Sequence, residues 1–260
     1  MYAIVFHAHQ KLDRVAYHHL RKLLPESTFF PALKQILRFE GGRGPDSVKL
    51  KRKTDAEQPW HFINPLDDKD TQLNQQIERH YRHLVEELKQ RDSVRASFEA
   101  AWLAHALVDG LTPAHHYPYE SALEELRGEP QYTRKGLVGR AIVHSDTVVE
   151  SIHKSLKIIG PKGLLTSHAA FEAGAYAIIA PLRLNLGRPD QKHIQQILND
   201  GVVPVFRQLA REVALLNLYN RFCESGWIQP VIKDIRRELG PRMVRMVTLA
   251  WYAAAHEASA

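Results

Sequence analysis

Apolar residues recur three and four apart in nearly every segment of this 260-residue chain, and alternating strand patterns are almost absent. No other feature constrains the fold as strongly. A chain that presents apolar stripes at a 3.6-residue period buries them by packing helix on helix. Helices are predicted near 8–24, 30–38, 70–91, 93–109, 118–126 and 137–157, and then near 165–182, 190–200, 203–222, 227–238 and 241–256. Asp92-Ser93 reads as a helix start, and so does Pro241 directly after Gly240. The one long irregular stretch is about 39–69, and a loop of that length in a compact domain is usually functional or disordered. Neither an internal repeat nor a low-complexity linker interrupts the pattern. The expectation is one all-α domain over residues 1–260.

Composition narrows the function classes. Hydrophobic residues make up 44% and charged residues 25%, ordinary values for a soluble globular protein. The absence of a run of eighteen apolar residues argues against a transmembrane helix. The start, MYAIVFHAHQKLDR, has too short an apolar run and no basic leader for a secretory signal. As written the chain is expected to be cytoplasmic, or secreted if a leader has been removed. The single cysteine, Cys223, excludes an internal disulfide framework and any cysteine-rich zinc site. Any metal must then be held by His, Asp and Glu. A formal charge of +6 favours anionic partners, although the basic residues are scattered over many helices. Fifteen histidines, several close to carboxylates, call for a search for metal-ligand spacing.

The segment LAHALVDGLTPAHHY, residues 103–117, sets His105 and Asp109 one helical turn apart and then runs through Pro113 into His115 and His116. Alone, it reads either as a buried hydrogen-bonded pair with two exposed histidines or as half of a metal site. SHAAFEAGAY repeats the spacing with His168 and Glu172. The long loop carries Asp46 in GPDSVK and His61 in PWHFINP, and the first helix opens with His7 and His9. Zinc accepts imidazole nitrogen and carboxylate oxygen, and hydrolytic sites keep one position open for water.

These residues together resemble the zinc-dependent phospholipases C and the related single-strand-specific zinc nucleases. The central motif, H-x3-D-x5-H with a proline two residues before the last histidine, is matched by His105, Asp109, Pro113 and His115. The second, H-x-x-[FY]-E, is matched by His168, Phe171 and Glu172. An aspartate in a loop followed about fifteen residues on by a histidine between aromatics corresponds to Asp46 and Trp60-His61-Phe62. An early H-x-x-aliphatic element corresponds to His9 and Leu12. The elements stand in family order over residues 9–172.

The resemblance implies an all-helical fold with two or three zinc ions. Asp46, His61, His105 and Asp109 would hold one ion, and His115, His168 and Glu172 another. His9 and Asp109 would hold a third, with Asp109 as the bridge. It implies phosphodiester hydrolysis by a zinc-bound hydroxide, with Asp46 as the group that orients or deprotonates the water. The basic run KLKRK, including Lys49, Lys51 and Arg52, would attract a phosphorylated substrate or simply solubilise the loop. Trp60 and Phe62 would wall a base or head-group pocket, or belong to the core.

The chain also departs from the pattern. Secreted relatives complete the third zinc with a processed amino-terminal Trp, whereas this chain begins at Met1, so that Met1 or His7 is the expected substitute, or the third position is weak. His144, Asp146, Glu150 and His153 form a further cluster, expected to be a solvated helix face. The preferred expectation is a phospholipase C-like enzyme, because SHAAFE follows the phospholipase form of the second motif. A nuclease or nucleotidase acting on nucleic acid or nucleotides, and a non-catalytic metal-binding helical protein, are the alternatives.

Overall fold

The computed structural model describes residues 2–41, 44–45, 62–116, 122, 124–126 and 147–260, with backbone only for residues 2–7, 148 and 152. Its helices are α1 (Tyr2–Arg21), α2 (Leu33–Glu40), α3 (Gln72–Lys89), α4 (Ser93–Gly110), α5 (Val148–Ile159) and α6 (Leu164–Ile179). They continue with α7 (Gln191–Asp200), α8 (Val202–Leu215), α9 (Leu218–Ser225), α10 (Gln229–Asp234) and α11 (Gly240–Ser259). The described residues contain no strand, so the all-α expectation holds. No helix among them is long and apolar enough to cross a membrane.

Two helices with little exposed surface organise the packing. Helix α4 buries small and apolar residues on several faces, among them Ala96, Ala100, Leu103, Leu107 and Val108. Helix α11 does the same from Met243 to Ala255. A helix that is apolar around most of its circumference belongs inside a protein. Accordingly α3, α2, α1 and α11 pack on α4, while α1, α3, α7 and α8 pack on α11. The indole N–H of Trp251 donates to the Ala100 carbonyl at 3.0 Å and pins the two central helices together.

Helix ends follow their local chemistry where a cap is present. The Asp92 carboxylate accepts from the backbone N–H groups of Val94 and Arg95, as the Asp92-Ser93 signal predicts. Three predicted boundaries shift. Helix α1 begins at Tyr2 instead of near residue 8, so His9 sits in its interior rather than at its N-terminal end. The predicted helix 203–222 is two helices, because Asn217 adopts a left-handed conformation (φ 50°) that asparagine tolerates better than most residues. The break predicted at Gly240-Pro241 is absent. A π-helical turn, Ile235–Leu239, carries α10 straight into α11. Proline lacks a backbone N–H and its ring crowds the carbonyl four residues back, and the wider π turn relieves that crowding without ending the helix.

Of the predicted helix 118–126, residues 122 and 124–126 are described and helical, and of 137–157 the described part begins at Val148. Glu150 and His153 are exposed on α5, and Glu150 pairs with Lys154, in keeping with a solvated face. His144 and Asp146 lie outside the described residues. So do Met1, Asp46, Lys49, Lys51, Arg52, Trp60 and His61. The side chain of His7, though on α1, is also outside them.

Candidate metal centre

The buried stripe of α1 runs through His9, Leu12, Asp13, Ala16 and Leu20. The polar residues of this face, His9, Asp13 and the equally buried His19, require partners, because desolvating them without compensation is costly. Packing α1 against α4 places His9 beside His105 and Asp109. The two imidazoles stack, with ring centroids 4.1 Å apart and planes 16° from parallel. His9 Nε2 lies 3.3 Å from Asp109 Oδ1, and His105 Nε2 lies 3.2 Å from Asp109 Oδ2. Each oxygen of one carboxylate therefore faces a different histidine. All three residues are at least 95% buried, with exposures of 5%, 2% and 4%.

A second group forms where α6 meets the 3₁₀ turn Pro113–His116. His115 Nε2 is 3.1 Å from Glu172 Oε1, and His168 Nε2 is 3.3 Å from the same oxygen. The His115 and His168 rings are 5.1 Å apart and nearly parallel. His115 Nδ1 is 3.1 Å from the Asp109 backbone carbonyl. A carbonyl oxygen only accepts, so Nδ1 carries a proton, and Nε2 is the nitrogen directed at Glu172. Asp109 Oδ1 is also 3.8 Å from His115 Nδ1, so the two groups adjoin through one residue. Phe62 stands edge-on to His115 at 5.2 Å and tilted against His168 at 6.2 Å, forming a wall beside the second group. Its neighbour Ile63 donates a backbone hydrogen bond to the His115 carbonyl at 3.2 Å.

These separations fit a shared cation. Tetrahedral zinc with bonds of about 2.1 Å holds its ligand atoms roughly 3.4 Å apart. The facing atoms of each group are spaced close to that value. His105 Nδ1 lies 2.8 Å from Glu40 Oε1 and His115 Nε2 lies 3.1 Å from Glu172 Oε1, both of them hydrogen-bond lengths as well. The six ligand atoms fall into two sets, His9 with His105 and Asp109, and His115 with His168 and Glu172, each compact enough to hold one metal ion. A pocket lined by His9, Asp109, Thr112 and Glu172 on its polar side, and by Phe171, Ile179 and Met243 on its apolar side, opens onto both. His, Asp and Glu are a donor set that zinc accepts.

Electrostatics follow from this packing. Burial by itself would raise the Glu172 carboxyl, but the charge of His168 and hydrogen bonds from His115 and His168 hold it well below the usual range. Glu172 thus stays an anion, as a metal ligand must. Burial lowers His116 to about 4, against the opposing pull of its 2.8 Å hydrogen bond to the Gly110 carbonyl. His116 is a neutral brace between the 3₁₀ turn and α4, not a member of either ligand group.

The structure therefore brings together His9, His105, Asp109, His115, His168 and Glu172, with Phe62 alongside. It also shows two buried acidic residues outside the sequence motifs. Glu40, the last residue of α2, is 1% exposed and contacts both His105 and His9. Asp13, also 1% exposed, has neither side-chain oxygen in a hydrogen bond among the described residues. Burial, reinforced by the charge of Glu40, pushes the Asp13 carboxyl well above its usual range. A signal for Asp13 was present, since His9-x3-Asp13 repeats the His105-x3-Asp109 spacing. Glu40 falls four residues after Ile36, both on the buried face of α2, and that pattern alone gives no hint of a histidine partner.

No protein-family model matches the chain, and neither a curated protein nor a solved structure shows significant similarity to it.

Proposed function

We propose that the chain is a zinc-dependent phosphodiester hydrolase of the phospholipase C-like kind. The observation that carries the reading is the pair of adjoining His/carboxylate groups, each with facing ligand atoms 3.1–3.3 Å apart. His9, His105 and Asp109 would hold metal on one side, and His115, His168 and Glu172 on the other, with Asp46 and His61 joining the first set as the motif order suggests. Zinc bound there supplies a water of lowered pKa and positive charge for the phosphate oxygens.

The chain's own residues account for the rest of the chemistry. Asp46 would accept a proton from the attacking water as the new P–O bond forms opposite the leaving oxygen, and solvent water would protonate the departing alkoxide as the old P–O bond breaks, the resulting hydroxide taking up the proton from Asp46. Asp109, with one oxygen facing His9 and the other facing His105, would balance the positive charge of metal held there. Lys49, Lys51 and Arg52 draw an anionic phosphodiester toward the loop. Phe62 excludes water from the edges of His115 and His168. The phospholipid class is preferred over nucleic acid on the H-x-x-[FY]-E form of residues 168–172, in which Phe171 packs against Trp227 and Tyr219 and fixes the helix that carries both ligands.

The test is hydrolysis of a choline phosphodiester, single-stranded DNA and a nucleoside monophosphate, each with added zinc and after chelation. Zinc-dependent cleavage of the choline phosphodiester is expected. Cleavage of DNA or of the monophosphate alone would assign the chain to the nuclease and nucleotidase class. A protein that takes up zinc yet cleaves none of the three would be a metal-binding helical protein.

A further inference from the structure

We infer that Glu40 is the positioning residue of the candidate metal centre, orienting His9 and His105 together from the side opposite Asp109. The inference rests on the metal-centre reading above, and it concerns a residue outside all four sequence motifs.

An imidazole carries its two nitrogens on different edges, so fixing one aims the other. His105 has Nδ1 at 2.8 Å from Glu40 Oε1 and Nε2 at 3.2 Å from Asp109 Oδ2. His9 repeats the arrangement, with Nδ1 at 3.6 Å from the same Glu40 oxygen and Nε2 at 3.3 Å from Asp109 Oδ1. Because the rings are stacked, both span the gap between the same two carboxylates. An ionised carboxylate only accepts, so the His105 proton belongs on Nδ1 and its lone pair points at Asp109. The His9 Nδ1 is buried with no hydrogen-bond partner, and Glu40 Oε1 is positioned to accept from it once the contact shortens. A carboxylate behind a ligand histidine fixes its tautomer and raises its basicity. One glutamate here serves two such histidines.

The backbone around Glu40 is held for this task. Gln10, the neighbour of His9, donates to the Leu37 carbonyl at 3.1 Å and ties α1 to the last turn of α2. Gly44 lies so close to Glu40 that a Cβ there would sit 2.2 Å from the Glu40 carbonyl oxygen, so glycine permits this approach. A glutamate present only to pair with a protonated His105 would not require its second contact to His9.

The experiment compares wild type with Glu40→Gln, which keeps the shape and removes the charge. Zinc stoichiometry and affinity are measured by chelator competition, with circular dichroism to check the helices and ¹⁵N NMR of the imidazoles in the zinc-loaded protein. In wild type the protons of His9 and His105 are expected on Nδ1. Glu40→Gln is expected to weaken one class of zinc about 10–100-fold while the class held by His115, His168 and Glu172 keeps its affinity. Wild-type zinc uptake with unchanged affinity in Glu40→Gln would overturn the positioning role and leave the metal centre standing. A His105 proton on Nε2 would overturn the role directly, even if the variant does not fold. Wild type that takes up no zinc would overturn the metal-centre reading, and this inference with it.

Discussion

Asp109 carries more of the site than any other side chain. Its Oδ1 faces His9 at 3.3 Å, its Oδ2 faces His105 at 3.2 Å, and its backbone carbonyl accepts from His115 at 3.1 Å. Replacement by asparagine preserves the last contact and the shape but removes the charge that offsets adjacent dications. Asp109→Asn is therefore expected to lose zinc occupancy and phosphodiesterase turnover together, each by more than about tenfold, the lower end of what even outer-shell changes cost. Asp46→Asn is expected to separate the two, lowering turnover more than occupancy, since His61, His105 and Asp109 would still hold the ion. Zinc stoichiometry and turnover measured side by side on both variants check this. Full activity in Asp109→Asn would exclude a bridging role. The spacing of His105, Asp109 and His115 made this residue legible in the sequence, because an i,i+4 pair on a helix is fixed by local geometry alone.

At the scale of elements, the site depends on how closely α4 approaches its neighbours at its last turn. Gly110 follows Asp109 directly, and a Cβ there would lie 2.4 Å from Phe206 Cζ and 2.7 Å from Leu73 Cδ2. Both neighbours are buried core residues of α8 and α3, with little room to retreat. Gly110→Ala is expected to destabilise the fold by about 1–3 kcal/mol through overpacking. It should also weaken zinc binding by displacing Asp109. Urea unfolding midpoints with excess zinc and after chelation would check both effects, and a variant as stable as wild type in each condition would show that the helix end can shift freely. The π turn at Ile235–Leu239 acts at the same scale. It lets one continuous helical path hold Leu239 and Met243 against the pocket, where a break at Pro241 had been expected.

For the whole molecule, the ligand residues come from helices distant in sequence. His9 is on α1, His105 and Asp109 are on α4, and His168 and Glu172 are on α6. A metal that joins them binds the folded chain and not the unfolded one, so binding adds directly to stability. Free zinc at 100 times its dissociation constant is expected to contribute about 2.7 kcal/mol per site. For a chain of this size that corresponds to a rise in Tm of about 5–10 °C. Thermal unfolding with excess zinc and again after chelation measures the difference, and an unchanged Tm would mean that zinc does not link these helices.

The sequence by itself determines the all-α class, the capped start of α4 at Asp92, and the pairings of His105 with Asp109 and of His168 with Glu172. Each depends on periodicity or on groups a few residues apart, which helix geometry converts into structure without help from the rest of the chain. Only the tertiary structure decides that His9 stacks on His105, that both Asp109 oxygens are engaged, and that Glu40 closes the arrangement from behind. Glu40 and His105 are 65 residues apart, and their 2.8 Å contact exists because α1 and α4 both pack against α2. No local pattern encodes such a meeting, since it depends on how three helices settle together once their apolar faces are buried.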